Sequence, residues 1–418
     1  MPDKENGLRC IVLVHLKAST GSLARVGSLS NNNETSTVIS TGVDHDVEMA
    51  TTEEGFSKAV NTDSMMIHSK ISLAGSIGKG TVKVKEIMLG CSDGMKVAAQ
   101  HWSHNPLNNE SIHYLDGIHQ TEKRRILCLH GFVDNCRSFY ALAPYLISRL
   151  PNYELVALDF PGHGLSSSTS ADHPPRITTI SEFAYYVFEA VSALEWGVER
   201  PFSIIGHSLG GAVGVYYAAT FGDHVEKLIN LDGFGPEGFG VTKMTRSARR
   251  HMTERREGNI KYFQQKKPPI IYHNLRAAVE TRQRTATNSP GNQWLSEKAA
   301  VEMVSRAVEN ANGGREGTSG VQFRHDPRLH WTPLQFHTWP QAEQFFIELK
   351  CPYIWFRAEH GWPFSQDIVD RVKKVRTPEL YRILPGSHHF HADPETTGQV
   401  SQAVLDALIS DFPLRQSS

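Results

Sequence analysis

The chain has 418 residues, enough for two or three folding units at about 150 residues each, and hydrophobic residues make up 39% of it, so a large buried core is available. Its 43 Lys and Arg nearly balance 44 Asp and Glu, which excludes a long-range field drawing it to nucleic acid or an anionic membrane and favours a small, uncharged ligand. Five widely spaced cysteines (Cys10, Cys91, Cys128, Cys136, Cys351) are an odd number and read as free thiols in a reducing, cytoplasmic setting.

At the N-terminus, the apolar run from Cys10 to Leu16 is too short to span a bilayer, and Asp3 and Glu5 precede it alongside Lys4 and Arg9, unlike a secretory signal. No later apolar run reaches the roughly 18 residues that a spanning helix needs, so no integral membrane segment is expected. Residues 18 to about 80 are rich in Ser, Thr, Asn and Gly and lack the apolar surface to offset their ordering entropy. Residues 1–80 are therefore expected to be a disordered extension, with organelle targeting left open as its role.

From 81 the pattern changes. Val82 to Leu89 and Met95 to Trp102 predict a hairpin around Ser92-Asp93-Gly94, and a polar loop follows over 103–124. Continuous apolar runs come next: Ile126 to Leu129, Leu155 to Leu158, Ile204-Ile205, Leu228 to Leu231, and Tyr353 to Phe356. Runs apolar on both faces suit central strands of a parallel sheet covered by helices, and helical stretches at 138–149, 180–195 and 209–221 alternate with them. The interval after Leu231 is far longer than an ordinary strand-to-helix connection. It reads as an inserted, mostly helical lid over 235–345, with helices at 274–283 and 295–311, the second stopped by Asn312-Gly313-Gly314. The core is then split into 81–234 and 346–412.

The most specific chemical signal is Gly206-His207-Ser208-Leu209-Gly210, directly after an apolar strand and directly before a small-residue helix. A nucleophile on so tight a strand-to-helix turn needs small flanking residues, and the helix N-terminus favours negative charge beside Ser208. A serine hydroxyl also needs a base. The late loop Gly386-Ser387-His388-His389-Phe390-His391 supplies histidines after a strand-like run from Leu380 to Leu384; His388 is preferred and His389 is its near rival. The acid that orients the base has two candidates. Glu359, three residues past the strand ending at Phe356, is favoured over Asp232, which follows the strand ending at Leu231 and also suits a turn or capping role. Oxyanion donors are expected from the backbone N–H groups of Phe132, in His130-Gly131-Phe132-Val133, and Leu209. With no Cys-x-x-Cys or His-Glu-x-x-His, and no carboxylate or Cys at matching spacing beside the late histidines, neither a metal nor another cofactor is expected.

His130-Gly131, Asp159-Phe160-Pro161-Gly162-His163-Gly164, Gly206 to Gly211 and Gly386 to His389, in that order, resemble the α/β-hydrolases. Phe323-Arg324-His325-Asp326-Pro327-Arg328-Leu329 and the Gly-Ser-His-His loop resemble the serine hydrolase-like proteins within that superfamily. The resemblance covers about 82–412 and implies an α/β-hydrolase fold, with a mostly parallel sheet of about eight strands and a helical lid, and a metal-independent hydrolase acting on a small acyl substrate. Where that pattern has glycine and aspartate after the seventh strand, this chain has Phe356 and Glu359. Dehalogenases and epoxide hydrolases share the fold but carry an aspartate at the elbow, and Ser208 argues against both. Three functions follow as alternatives: carboxylic ester hydrolysis through an acyl-enzyme, thioester cleavage or acyl transfer with the same triad, and small-ligand binding or sensing with little turnover. Trp331, Phe336, Trp339, Phe345 and Phe346 either line an acyl pocket or form the lid's own core.

Overall fold

Ser92-Asp93-Gly94 turns the chain because Gly94 adopts φ 84° and Asp93 accepts the Met95 N–H at 3.0 Å, joining β1 (Gly80–Gly90) to β2 (Lys96–Pro106) as an antiparallel hairpin. The computed structural model describes residues 80–106, 123–168, 179–264, 270–311, 320–333 and 337–413. The extension expected over 1–80 lies outside them except for Gly80, as does Phe336.

Strands and helices then alternate: β3 (Arg124–Leu129), α1 (Leu142–Arg149), β4 (Tyr153–Leu158), α2 (Ile180–Ala193), β5 (Phe202–His207), α3 (Leu209–Thr220) and β6 (Val225–Leu231). A long excursion follows, made of β7 (Gly238–Phe239), α4 (Met244–Gly258), α5 (Leu275–Thr287), α6 (Glu297–Ala307), β8 (Val308–Ala311), β9 (Gly320–Phe323), β10 (His337–Thr338) and α7 (Trp339–Ile347). The chain returns through β11 (Tyr353–His360), α8 (Gln366–Val375), β12 (Leu380–Ser387) and α9 (Thr397–Ile409). The eight long strands form one sheet in the order β1-β2-β4-β3-β5-β6-β11-β12. It is parallel from β4 to β12, and only β1 with β2 and β2 with β4 run antiparallel.

Alternation along each central strand explains the unbroken apolar runs. Leu127, Ile204, Leu228 and Trp355 pack on one face with Val187 of α2, Val213 of α3 and Val372 of α8. Their neighbours Ile126, Ile205, Ile229 and Phe356 pack on the other with Leu146 of α1 and Val404 of α9. Both faces are covered, as a parallel sheet requires. The excursion adds its own core from Ala278 and Val279 of α5 and Ala299, Met303 and Val304 of α6. The helix expected over 295–311 is shorter than the sequence suggested: it ends at Ala307, and Val308–Ala311 pairs antiparallel with β9. Of the aromatics singled out in this interval, Phe346 packs on Tyr353, the rings of Phe345 and Tyr216 lie 4.3 Å apart and tilted, and Trp331 lies against Gly258.

Arg306 of α6 fastens the excursion to the sheet. Its guanidinium is buried and donates to Asp159 at 2.8 Å while pairing with Glu86 of β1 at 2.8 Å. Asp159 is committed elsewhere too, accepting the N–H groups of Cys136 at 2.8 Å and Leu165 at 2.7 Å. Removing one partner of a buried pair strands the other charge, so Arg306→Met is expected to cost about 3–5 kcal/mol of stability, read as a fall in the urea midpoint. Arg276→Met, which breaks the exposed i,i+4 pair with Glu280, should cost at most about 0.5 kcal/mol. Equal losses in the two variants would remove Arg306 as the anchor.

Candidate active site

Four of the residues expected to carry chemistry stand beyond the carboxyl ends of the parallel strands, where open α/β sheets gather their ligands. Ser208 follows β5, Asp232 follows β6, His388 follows β12, and Phe132 lies just past β3. Ser208 has φ 51° and ψ −115°, a backbone that a non-glycine residue holds only when its surroundings force it. Its neighbours provide the room: a Cβ on Gly206 would sit 2.5 Å from the Gly210 carbonyl oxygen, and a Cβ on Gly210 would sit 2.0 Å from that of Leu129. The Ser208 side chain does not cap α3. Leu209 is the first residue of that helix, so its N–H has no intrahelical acceptor. Three of the five described non-glycine residues at positive φ belong to this region: Ser208, Asp232 (φ 44°) and Val133 (φ 61°), beside Phe132.

The left-handed turn at Asp232 swings its carboxylate inward, where it is fully buried and saturated. Oδ1 accepts the Ala358 N–H at 3.0 Å; Oδ2 accepts the Trp362 N–H at 2.7 Å and His388 Nδ1–H at 2.5 Å. Gly361 makes this packing possible, since a Cβ there would lie 2.2 Å from Oδ1. With Nδ1 donating to a carboxylate, Nε2 of His388 is left as the basic nitrogen. No hydrogen bond between Ser208 Oγ and His388 is formed among the described residues. The histidine loop is nonetheless tied to the elbow, because His207 Nε2–H donates to the His388 carbonyl at 2.9 Å.

The preference for Glu359 over Asp232 is corrected by this geometry. β11 runs on as strand through His360, so the alternation that buries Ala358 leaves Glu359 exposed, and the carboxylate meeting His388 is that of Asp232. The rival base, His389, donates from Nε2 to Asp134 at 3.0 Å. Burial alone would raise the Asp134 carboxyl, but His389 and Arg282 beside it hold it well below the usual carboxylate range. Burial lowers His207, His389 and His391, the last to about 3. Phe132 packs edge-on against His330 at 5.7 Å, bringing the Phe323–His330 segment over the loop after β3.

Gln293, between α5 and α6, has no local sequence signal. Its Oε1 accepts the His388 N–H at 2.8 Å, and its Nε2 donates to Gly361 O at 2.8 Å and Pro290 O at 3.0 Å. One side chain thus holds both the histidine loop and the glycine packed on Asp232. Gln293→Ala leaves a buried N–H without its acceptor, a cost of about 1–3 kcal/mol. The expected result is a roughly tenfold fall in kcat with KM little changed; a change confined to KM would instead make Gln293 a substrate contact.

Residues 124–394 match a family model described as the alpha/beta hydrolase fold. The chain is similar to a serine hydrolase-like protein of Dictyostelium discoideum, 25% identical over 79% of this chain and 83% of that one. It is also similar to a serine hydrolase-like protein of Danio rerio, 29% identical over 69% of this chain and 83% of that one. Among solved structures, a hypothetical protein from Pseudomonas aeruginosa superimposes with TM-score 0.62 at 25% identity, covering 78% of this chain and 99% of its own. No described helix is long and apolar enough to cross a membrane.

Proposed function

The chain belongs to the α/β-hydrolase fold family, and on that premise we propose that it is a serine hydrolase cleaving a carboxylic ester or related acyl substrate, with Ser208 as nucleophile, His388 as general base and Asp232 as the orienting acid. The observation that carries the reading is the 2.5 Å hydrogen bond from His388 Nδ1 to a buried Asp232, on a loop tied to the strained turn at Ser208.

In the proposed reaction, Ser208 Oγ attacks the substrate carbonyl while His388 Nε2 takes its proton. Asp232 stabilises the imidazolium that forms and fixes its tautomer. The N–H groups of Leu209 and Phe132 receive the oxyanion. Collapse expels the alcohol, protonated by His388, and leaves an acyl group on Ser208; a water deprotonated by His388 then releases the acid. Thioester cleavage or acyl transfer uses the same steps with a different leaving group or acceptor. A panel of nitrophenyl esters and acyl thioesters of graded chain length tests the reading: turnover of at least one series, abolished in Ser208→Ala, is expected. Absence of turnover across both series would favour ligand binding over catalysis.

A further inference from the structure

Behind the catalytic histidine lies a second cluster that the proposed reaction does not use. Asp134, from the loop after β3, His207, the last residue of β5, and His389, from the loop after β12, are all buried, and one ligand atom from each lies within 4.8 Å of the others. Asp134 Oδ2 is 3.0 Å from His389 Nε2 and 3.7 Å from His207 Nδ1. These separations bracket about 3.3 Å, the edge of a tetrahedron with bonds of about 2.0 Å.

Two features give the cluster the character of a site. His207 donates Nε2–H to the His388 carbonyl, which fixes the tautomer and leaves Nδ1 as a lone pair turned toward the carboxylate; that buried nitrogen has no hydrogen-bond partner. A histidine held through one nitrogen by a backbone carbonyl, with the lone pair of the other left free, is how metal ligands are commonly oriented. The space beside these atoms is kept by the missing side chain of Gly131, whose Cβ would lie 2.8 Å from both Asp134 Oδ2 and His207 Nδ1. The charge of Asp134 is meanwhile met by Arg282 of α5, which donates to Oδ1 at 2.8 Å from a side chain 16% exposed.

We propose that Asp134, His207 and His389 form a binding site for a divalent transition-metal ion of the zinc class, with Arg282 as its built-in competitor. Two imidazoles and one carboxylate select such an ion over magnesium or calcium, which take all-oxygen sets, and leave one tetrahedral position for water or an anion. On binding, His389 Nε2 becomes a ligand and its proton moves to Nδ1, so the charge of the protein is unchanged. Arg282, repelled by the ion, turns toward solvent. The site is independent of whether Ser208 is a nucleophile.

The test uses the full chain stripped with a chelator and titrated with Zn2+, following bound metal by equilibrium dialysis and, with Co2+ as probe, the visible absorption of a tetrahedral site. One ion per chain is expected, with affinity lowered at least about a hundredfold in Asp134→Asn and His389→Gln, the upper end of what loss of a mere outer-shell partner costs. Arg282→Met, which removes the competing charge from a partly exposed position, should tighten binding about tenfold. It decides the matter should either ligand variant fail to fold. Absence of stoichiometric binding in both the unmodified chain and Arg282→Met would overturn the proposal, as would affinity unchanged in the ligand variants, which marks binding by exposed histidines.

Discussion

Ser208→Ala is expected to lower kcat toward a short-chain nitrophenyl ester about a millionfold, leaving only the residual acceleration that oxyanion donors and binding provide without a nucleophile. The size of the effect follows from the residues acting as a unit. Without the Ser208 hydroxyl, His388 has no proton to accept, and the strained turn at φ 51° presents nothing to the carbonyl. A fall of only tenfold or so, with the variant folded, would mean that ester cleavage proceeds elsewhere on the chain.

The second large effect is expected at the acid. Asp232→Asn keeps the shape of the side chain but offers an amide that donates to His388 Nδ1, which stabilises the wrong tautomer and removes the charge facing the imidazolium. The expected loss in kcat is about ten-thousandfold. Glu359→Gln, at an exposed position, is expected to change kcat by no more than about twofold, as surface substitutions do. The paired measurement separates the two carboxylates directly, and a large loss in Glu359→Gln with none in Asp232→Asn would reverse the assignment.

The sheet was legible because its central strands are buried on both faces, so Ile126 to Leu129 or Tyr353 to Phe356 appear as unbroken apolar runs. The elbow was legible because its glycines answer local sterics within five residues. The acid was not. Whether Asp232 or Glu359 faces the histidine depends on how far β11 extends and on a left-handed backbone at Asp232, neither of which a short apolar run encodes. α4 was passed over because it is Arg-rich and poor in apolar residues, and only His251 and Gly258 of it are buried. The extended pairing of Val308–Ala311 with β9 likewise overrode the helix-forming stretch before it. Gln293 is invisible for the same reason as the cluster around Asp134. Its partners are His388 and Gly361, and those of Asp134 are His389 and Arg282. All are distant in sequence, and the expectation of no metal rested on local spacing alone.

The central claim is that one activated hydroxyl, that of Ser208, does the covalent chemistry. Peptide-level mass spectrometry after treatment with a fluorophosphonate reads this most directly. The account predicts a single adduct on the peptide containing Ser208, formed much more slowly in Asp232→Asn. An unlabelled Ser208, or an adduct confined to another residue, would contradict it.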